Sequence, residues 1–191
     1  MPHSRLIVIS APSGCGKTTI VREIFKRHPE MKFSVSATTR KQRTGESHGK
    51  DYFFLLKEDF EQKINGGELV EWEKIYDNYY GTLKSEVDRA LQSGITMIFD
   101  IDVKGALNVK HKYPNDAVLI FIEPPSVEIL TQRLINRKTE TEEVVRKRLE
   151  RVPMELERGK EFDYRVVNDK LEKAINDVDT IIKNAVNAYA K

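Results

Sequence analysis

A chain of 191 residues, 39% hydrophobic and 32% charged, is long enough for one domain with a substantial core and too apolar for a disordered chain. Its 32 basic side chains nearly balance 30 acidic ones, so no global basicity argues for a nucleic-acid or membrane partner. Cys15 is the sole cysteine, which excludes an intrachain disulfide and fits a reducing compartment.

Arg5 to Ser10 reads as a buried, β-branched strand. Ala11-Pro12-Ser13-Gly14-Cys15-Gly16-Lys17-Thr18-Thr19 follows, and a helix is predicted over 18–28, stopped by Pro29. Strand, glycine-rich turn and helix together make an oligophosphate site. Gly14 and Gly16 let the backbone curl so that several N–H groups point into one concavity, and the helix adds its positive end. Lys17 supplies a cation to the terminal phosphates, and the Thr18 hydroxyl is placed to ligate magnesium. The usual pattern opens with glycine; Ala11 stands there in this chain. For Cys15 two readings stay open: a thiol acidified by the helix end, or a small filler side chain.

Phe33 to Ser36 alternates like a strand, and a polar, arginine-rich stretch runs to Glu46. Asp51 to Leu55 is a strand candidate, 57–64 a short helix closed by Asn65-Gly66-Gly67, and 69–76 another strand, followed by Asn78-Tyr79-Tyr80-Gly81-Thr82. Residues 34–82 therefore read as a small strand-rich lobe inserted after the first strand–helix unit. The alternation then resumes. Helices are predicted over 84–92, 103–112, 126–137, 141–159 and 171–190, with strands over 95–99, 117–122 and 164–167. Strands alternating with helices imply an α/β protein with a parallel sheet core flanked by helices. The expected organisation is a single domain over 1–191. Its core lies at about 1–33, 83–125 and 158–191, with a helical lid at about 126–157. No apolar run is long enough to span a bilayer and no signal-peptide pattern is visible, so a cytoplasmic location is expected.

Asp100 ends an apolar strand at the carboxyl edge, where ligands gather in open α/β sheets, and can assist a magnesium ion beside the loop. Asp102 suits either a ligand contact or the cap of the next helix. Arg40 and Arg43, with Tyr52 and Tyr80, can form a second anion site, because a planar guanidinium binds phosphate oxygens bidentately; alone, they also suit a solvated basic turn. Arg133 and Arg137 share a helix face, with Arg148 on the next helix, which Thr141 is placed to cap. These charged helices fit a lid that brings arginines to a transferring phosphoryl group, or two surface helices held by Glu/Arg pairs.

Together these segments resemble the guanylate kinase family. The matching stretches are 11–19, Phe-Ser-Val-Ser-Ala-Thr-Thr-Arg-Lys-Gln-Arg at 33–43, Gly-Lys-Asp-Tyr-Phe-Phe at 49–54 and Glu-Leu-Val-Glu-Trp at 68–72. Asn-Tyr-Tyr-Gly-Thr at 78–82, Phe-Asp-Ile-Asp-Val-Lys-Gly at 99–105 and Arg-Lys-Thr-Glu-Thr-Glu-Glu at 137–143 complete the set. The resemblance implies transfer of the terminal phosphoryl group of ATP to GMP, and to dGMP, with Mg²⁺, in line and without a covalent intermediate. It implies that Ser36, Glu71, Thr82 and Asp102 face guanine and that Arg40, Arg43, Tyr52 and Tyr80 hold the GMP phosphate. Asp100 belongs with the GMP site and, together with Thr18, with the metal. Residues 11–19 and Asn168 would bind ATP; Lys17, Arg40, Arg133, Arg137 and Arg148 would be catalytic. Lys138 stands where the family usually has glycine.

The chemistry agrees with a guanine acceptor. Guanine offers N1–H and N2–H₂ to a carboxylate at Glu71, whereas adenine presents a lone pair there. No general base is needed, because a phosphate monoester is already anionic near neutral pH, its second pKa being about 6. Two competing readings are an interaction module that has lost catalysis and a P-loop kinase acting on a phosphorylated sugar. Lys17, Thr18, Asp100 and the three lid arginines speak against the first; Glu71 and Tyr80 speak against the second. A monomer and a homo-oligomer are equally compatible with the sequence.

Overall fold

The computed structural model describes residues 5–75, 77–135 and 142–187. Arg137, Lys138 and Thr141, and the last residues of the helix predicted over 171–190, lie outside the described residues. Five parallel strands form the main sheet in the order β2 (Lys32–Phe33), β7 (Met97–Asp100), β1 (Leu6–Ser10), β8 (Ala117–Glu123), β9 (Tyr164–Val167). β1 lies at the centre and is buried along its whole length, which is why it reads as a continuous apolar run rather than an alternating one.

The two faces of β1 feed two cores. Ile7 and Ile9 pack with Ile20 and Ile24 of α1 (Lys17–Arg27) and with Val178 and Ile182 of α7 (Leu171–Asn187). Leu6 and Val8 pack on the other side with Val87 of α3 (Lys84–Gln92) and with Ala106 and Val109 of α4 (Val103–Lys112). The period-two alternation of a strand sends successive side chains to opposite cores. A buried polar link ties α1 to α7: His28 Nε2 lies 2.6 Å from Asp179 Oδ1, and Lys183 donates to Asp179 Oδ2 at 2.9 Å. Those hydrogen bonds hold the Asp179 carboxyl below its usual pKa against the opposing effect of burial.

A second sheet has the order β4 (Phe53–Phe54), β3 (Ala37–Thr38), β6 (Asn78–Leu83), β5 (Leu69–Ile75), with β3–β6 and β5–β6 antiparallel. It closes over its own small core, in which Phe60 of α2 (Lys57–Asn65) stacks on Tyr79 at 5.3 Å. The single strand read at 33–36 is divided. Lys32–Phe33 pairs with β7 in the main sheet, and Ala37–Thr38 joins the second sheet. The intervening residues carry the chain from one sheet to the other, which local alternation cannot reveal. Residues 78–82, given no element from the sequence, are the return strand β6 paired to β5. Two further helices, α5 (Val127–Ile135) and α6 (Glu142–Gly159), complete the chain. Among the described residues no helix is long and apolar enough to cross a membrane.

Candidate active site

The carboxyl end of β1 runs straight into the glycine-rich loop. Gly14 (φ 94°) and Gly16 (φ 82°) both lie in the left-handed region, and the Gly16 carbonyl accepts the first helical hydrogen bonds from Thr19 and Ile20, both 3.1 Å. The loop is braced from below: the Asn168 side-chain amide donates to the Cys15 carbonyl at 2.7 Å. Lys17 Nζ pairs with the Asp100 carboxylate at the end of β7 and donates to the Ile101 carbonyl at 3.2 Å. The sheet edge thus joins loop lysine and strand aspartate. Thr18 and Asp100 also line a common cavity beside α1. Cys15 is buried, and burial pushes its thiol up to about 12, so the filler reading holds.

A cavity of about 470 Å³ opens over the loop, lined by residues 11–19, Asp102, and Lys147, Arg148, Arg151 and Glu155 of α6. Arg148 Nη1 donates to Ser13 Oγ at 2.5 Å, so α6 already reaches the loop. Arg133 is placed differently. Its guanidinium donates twice to the Asn168 carbonyl, at 3.1 and 3.2 Å. Asn168 itself is buried, with its amide spent on the loop.

The second sheet supplies the other half. In the β5–β6 register Glu71 stands opposite Thr82 and Glu73 opposite Tyr80, so these four share one face of the ribbon. Thr82 Oγ1 donates to Glu71 Oε1 at 2.6 Å. Burial pushes the Glu71 carboxyl up to about 7, with Asp102 adding repulsion and the Thr82 hydrogen bond opposing the rise. The Glu71 carboxyl sits against α4: a Cβ built on Gly105 would lie 2.9 Å from Glu71 Oε2. Gly105→Ala is therefore expected to displace this carboxylate and raise the KM for the acceptor nucleotide expected from the sequence roughly tenfold with little change in kcat, measured by steady-state kinetics. Continuing the β3–β6 register by one residue brings Ser36 alongside Thr82.

Asp102 caps α4, its Oδ1 accepting from Gly105 N at 2.7 Å. It also faces Glu73, whose pKa is raised because its carboxyl hydrogen-bonds the Asp102 carboxylate and is desolvated. Arg40 stacks over the rings of Tyr52 (5.3 Å) and Phe54 (5.7 Å), and Tyr52 meets Tyr80 edge-on with centroids 6.2 Å apart. Arg40 Nη2 donates to Glu46 Oε1 at 2.7 Å, while the Arg43 backbone N–H donates to Glu46 Oε2 at 2.8 Å. The structure thus gathers Arg40, Tyr52 and Tyr80, and sets Arg43 on the same loop.

Sequence reasoning missed Glu46, Glu73, Arg151 and Glu155. Glu73 was detectable as the residue two beyond Glu71 on a strand, and Arg151 as the residue one helical turn beyond Arg148. Glu46 carried no signal of its own, because its role comes from closing a loop on arginines three and six residues earlier.

Comparison with known proteins agrees with this geometry. A family model described as guanylate kinase matches residues 3–185. A guanylate kinase of Chlorobium luteolum is 47% identical over 180 residues, covering 94% of this chain and 91% of the relative. One from Gloeobacter violaceus is 48% identical over 181 residues, covering 95% and 88%. The crystal structure of guanylate kinase from Anaplasma phagocytophilum superposes with a TM-score of 0.76 at 27% identity, covering 97% of this chain and 88% of that one. With a glycine-rich loop on the parallel sheet and a carboxylate ribbon on the second sheet, this chain belongs to the guanylate kinase family.

Proposed function

We propose that the protein transfers the terminal phosphoryl group of ATP to GMP, and to dGMP, giving ADP and the diphosphate. The observation that carries this reading is that Asp102, which lines the cavity over the cationic glycine-rich loop, also bears on the ribbon face that holds Glu71, Glu73 and Thr82. In this reading the loop N–H groups and Lys17 hold the ATP phosphates, with Arg148 above them. Glu71 accepts from guanine N1–H and N2–H₂, and a hydroxyl at Ser36 or Thr82 donates to O6. Arg40, Arg43, Tyr52 and Tyr80 hold the GMP phosphate, which displaces Glu46 from Arg40. Catalysis is alignment and charge neutralisation, and no side chain needs to accept a proton. Arg133 steadies the Asn168 turn beneath the loop as well as standing near the donor side.

Magnesium fits the donor set. Thr18 at the start of α1 and Asp100 at the end of β7 offer hard oxygen ligands, and among the described residues no cluster of three or more His, Cys, Asp or Glu could hold an ion by protein ligands alone. That suits a cation taking its remaining ligands from phosphate and water. When bound, it neutralises charge on the transferring group. A cytoplasmic site of action fits the lone buried thiol.

A coupled assay for ADP release with GMP, dGMP, AMP and UMP tests the reading. Turnover of GMP and dGMP, abolished by EDTA and restored by Mg²⁺, is the expected result. Equal turnover of AMP would remove the guanine assignment, and no turnover on any nucleotide would remove the kinase.

A further inference from the structure

Over the donor cavity, α6 presents one arginine that the mechanism above leaves idle. This helix is fixed by its apolar side: Val152 is buried, and Val145, Leu149 and Leu156 pack against the same core. Those four recur at the spacing of one helical face. The adjoining face, with Arg148, Arg151 and Glu155, is thereby held over the glycine-rich loop. Arg148 donates to the loop at Ser13. Arg151 forms no hydrogen bond among the described residues. Its two carboxylate neighbours stand beyond hydrogen-bond reach, Glu155 Oε1 at 3.6 Å from Nε and Glu73 Oε1 at 3.8 Å from Nη2. A guanidinium has five N–H donors in a planar fork, so a group lining a phosphate-sized cavity keeps its whole donor set in reserve.

The surrounding charges show where this fork lies. Asp102 feels the positive charge of both Arg151 and Lys17, and so does Glu155. Lys17 comes from the loop and Arg151 from α6, so two cations converge on one pair of carboxylates inside the same cavity. Lys17 is the residue that meets the terminal phosphates in the reading above, which puts Arg151 at the terminal end of the donor. Glu73 belongs to the ribbon face that carries Glu71, Tyr80 and Thr82, so Arg151 borders the acceptor half as well. A cation that borders both halves stands where a phosphoryl group would cross.

We propose that Arg151 is a further catalytic residue, whose guanidinium exchanges the Glu73 carboxylate for oxygens of the transferring phosphoryl group, an assignment that rests on the ATP-dependent transfer read above. Two ion pairs longer than a hydrogen bond, around a side chain 46% exposed, hold weakly. Paired phosphate oxygens offer the same fork two short, charge-assisted bonds. Arg151 stays protonated throughout. The bond from phosphorus to the ADP oxygen breaks, the bond to the acceptor phosphate oxygen forms, and the guanidinium neutralises charge on the oxygens between them. Glu46 plays the corresponding part in the acceptor half, where it occupies Arg40 until a phosphate arrives.

Calorimetric binding and steady-state kinetics of the full chain with Mg²⁺ test the assignment. Arg151→Gln is expected to weaken the β,γ-imido analogue of ATP roughly tenfold while leaving ADP within about twofold, because the lost fork reaches only the terminal phosphate. The same variant is expected to lower kcat for GMP roughly a hundredfold. Arg151→Lys, a point charge without the fork, should fall between the parent and the glutamine variant in both measurements. Glu73→Gln removes the competing carboxylate and is expected to tighten the analogue about two- to fivefold with ADP unchanged. Intact ADP binding shows in the same titrations that each variant is folded.

Equal weakening of ADP and the analogue by Arg151→Gln, or a kcat within about threefold of the parent's, would overturn the assignment. So would an analogue affinity that Glu73→Gln leaves unmoved. A parent protein that binds the analogue with the expected dependence on Arg151, yet transfers nothing to GMP, would leave the phosphate contact standing and overturn the transfer reading instead.

Discussion

Lys17→Met is expected to lower kcat for GMP phosphorylation by about 10²–10³, the usual cost of removing one preorganised charge from a phosphoryl-transfer site. Methionine keeps the length of the side chain and removes the ammonium. In the structure that ammonium is paired with Asp100 and bonded to the Ile101 carbonyl. It is therefore held at the sheet edge before any phosphate arrives, which lowers the reorganisation required at the moment of transfer. The same substitution leaves Asp100 without its cation, at a site where both side chains are only 20% exposed. Some loss of stability follows from that, and Lys17→Met/Asp100→Asn separates it from catalysis. Thermal unfolding should show the double variant recovering stability with no recovery of kcat. A single variant with nearly normal kcat would remove Lys17 from the catalytic set.

Glu71→Gln is expected to reduce the preference for GMP over AMP, as a ratio of kcat/KM, by roughly 10³. The amide removes a charged acceptor from guanine N1–H and N2–H₂ and offers a donor to the lone pair of adenine N1. An unchanged preference in this variant would refute the role of Glu71. The free protein already shows the cost of keeping a carboxylate there: burial pushes its pKa up to about 7. The native state therefore binds more protons than the unfolded chain between the ordinary carboxylate pKa and about 7, and stability falls as pH rises through that window. Glu71→Gln removes this penalty, and is expected to stabilise the fold by about 2 kcal/mol at pH 8 and by little at pH 4, measured by denaturant unfolding. The GMP KM of the parent protein should rise as pH falls below 7, because a protonated Glu71 accepts fewer bonds.

These two residues were legible in different ways. Lys17 is readable from nine consecutive residues, because a loop that curls around phosphate needs glycine at positive φ and a helix start at fixed offsets. Its partner Asp100 was anticipated from the end of a buried strand, and parallel pairing of β1 with β7 places Ile9 beside Asp100. Glu71 could be named from chemistry and resemblance, yet its packing could not. That Thr82 donates to it, and that Gly105 leaves room for it against α4, depends on strand pairing and on a helix that begins only at Val103. Asp102 had been open between a ligand contact and a helix cap; the cap is made, and the same carboxylate also confronts Glu73. Arg133 reads from the sequence as a lid arginine, and the structure turns its guanidinium to the Asn168 carbonyl. Helical spacing states which residues share a face and says nothing of what that face meets.

By itself the sequence determined the parallel α/β core, the position of the phosphate loop and the presence of a strand-rich insertion, because each depends on local periodicity and local backbone freedom. Only the tertiary structure decided which carboxylates share a face, which hydroxyl serves Glu71, and which arginine of α6 spans to the ribbon. Those relations join residues tens of positions apart, and they come into being when two sheets and a helix close on one cleft. Desolvation there raises the Glu71 carboxyl and brings Glu73 against Asp102, effects that no stretch of chain contains before it folds.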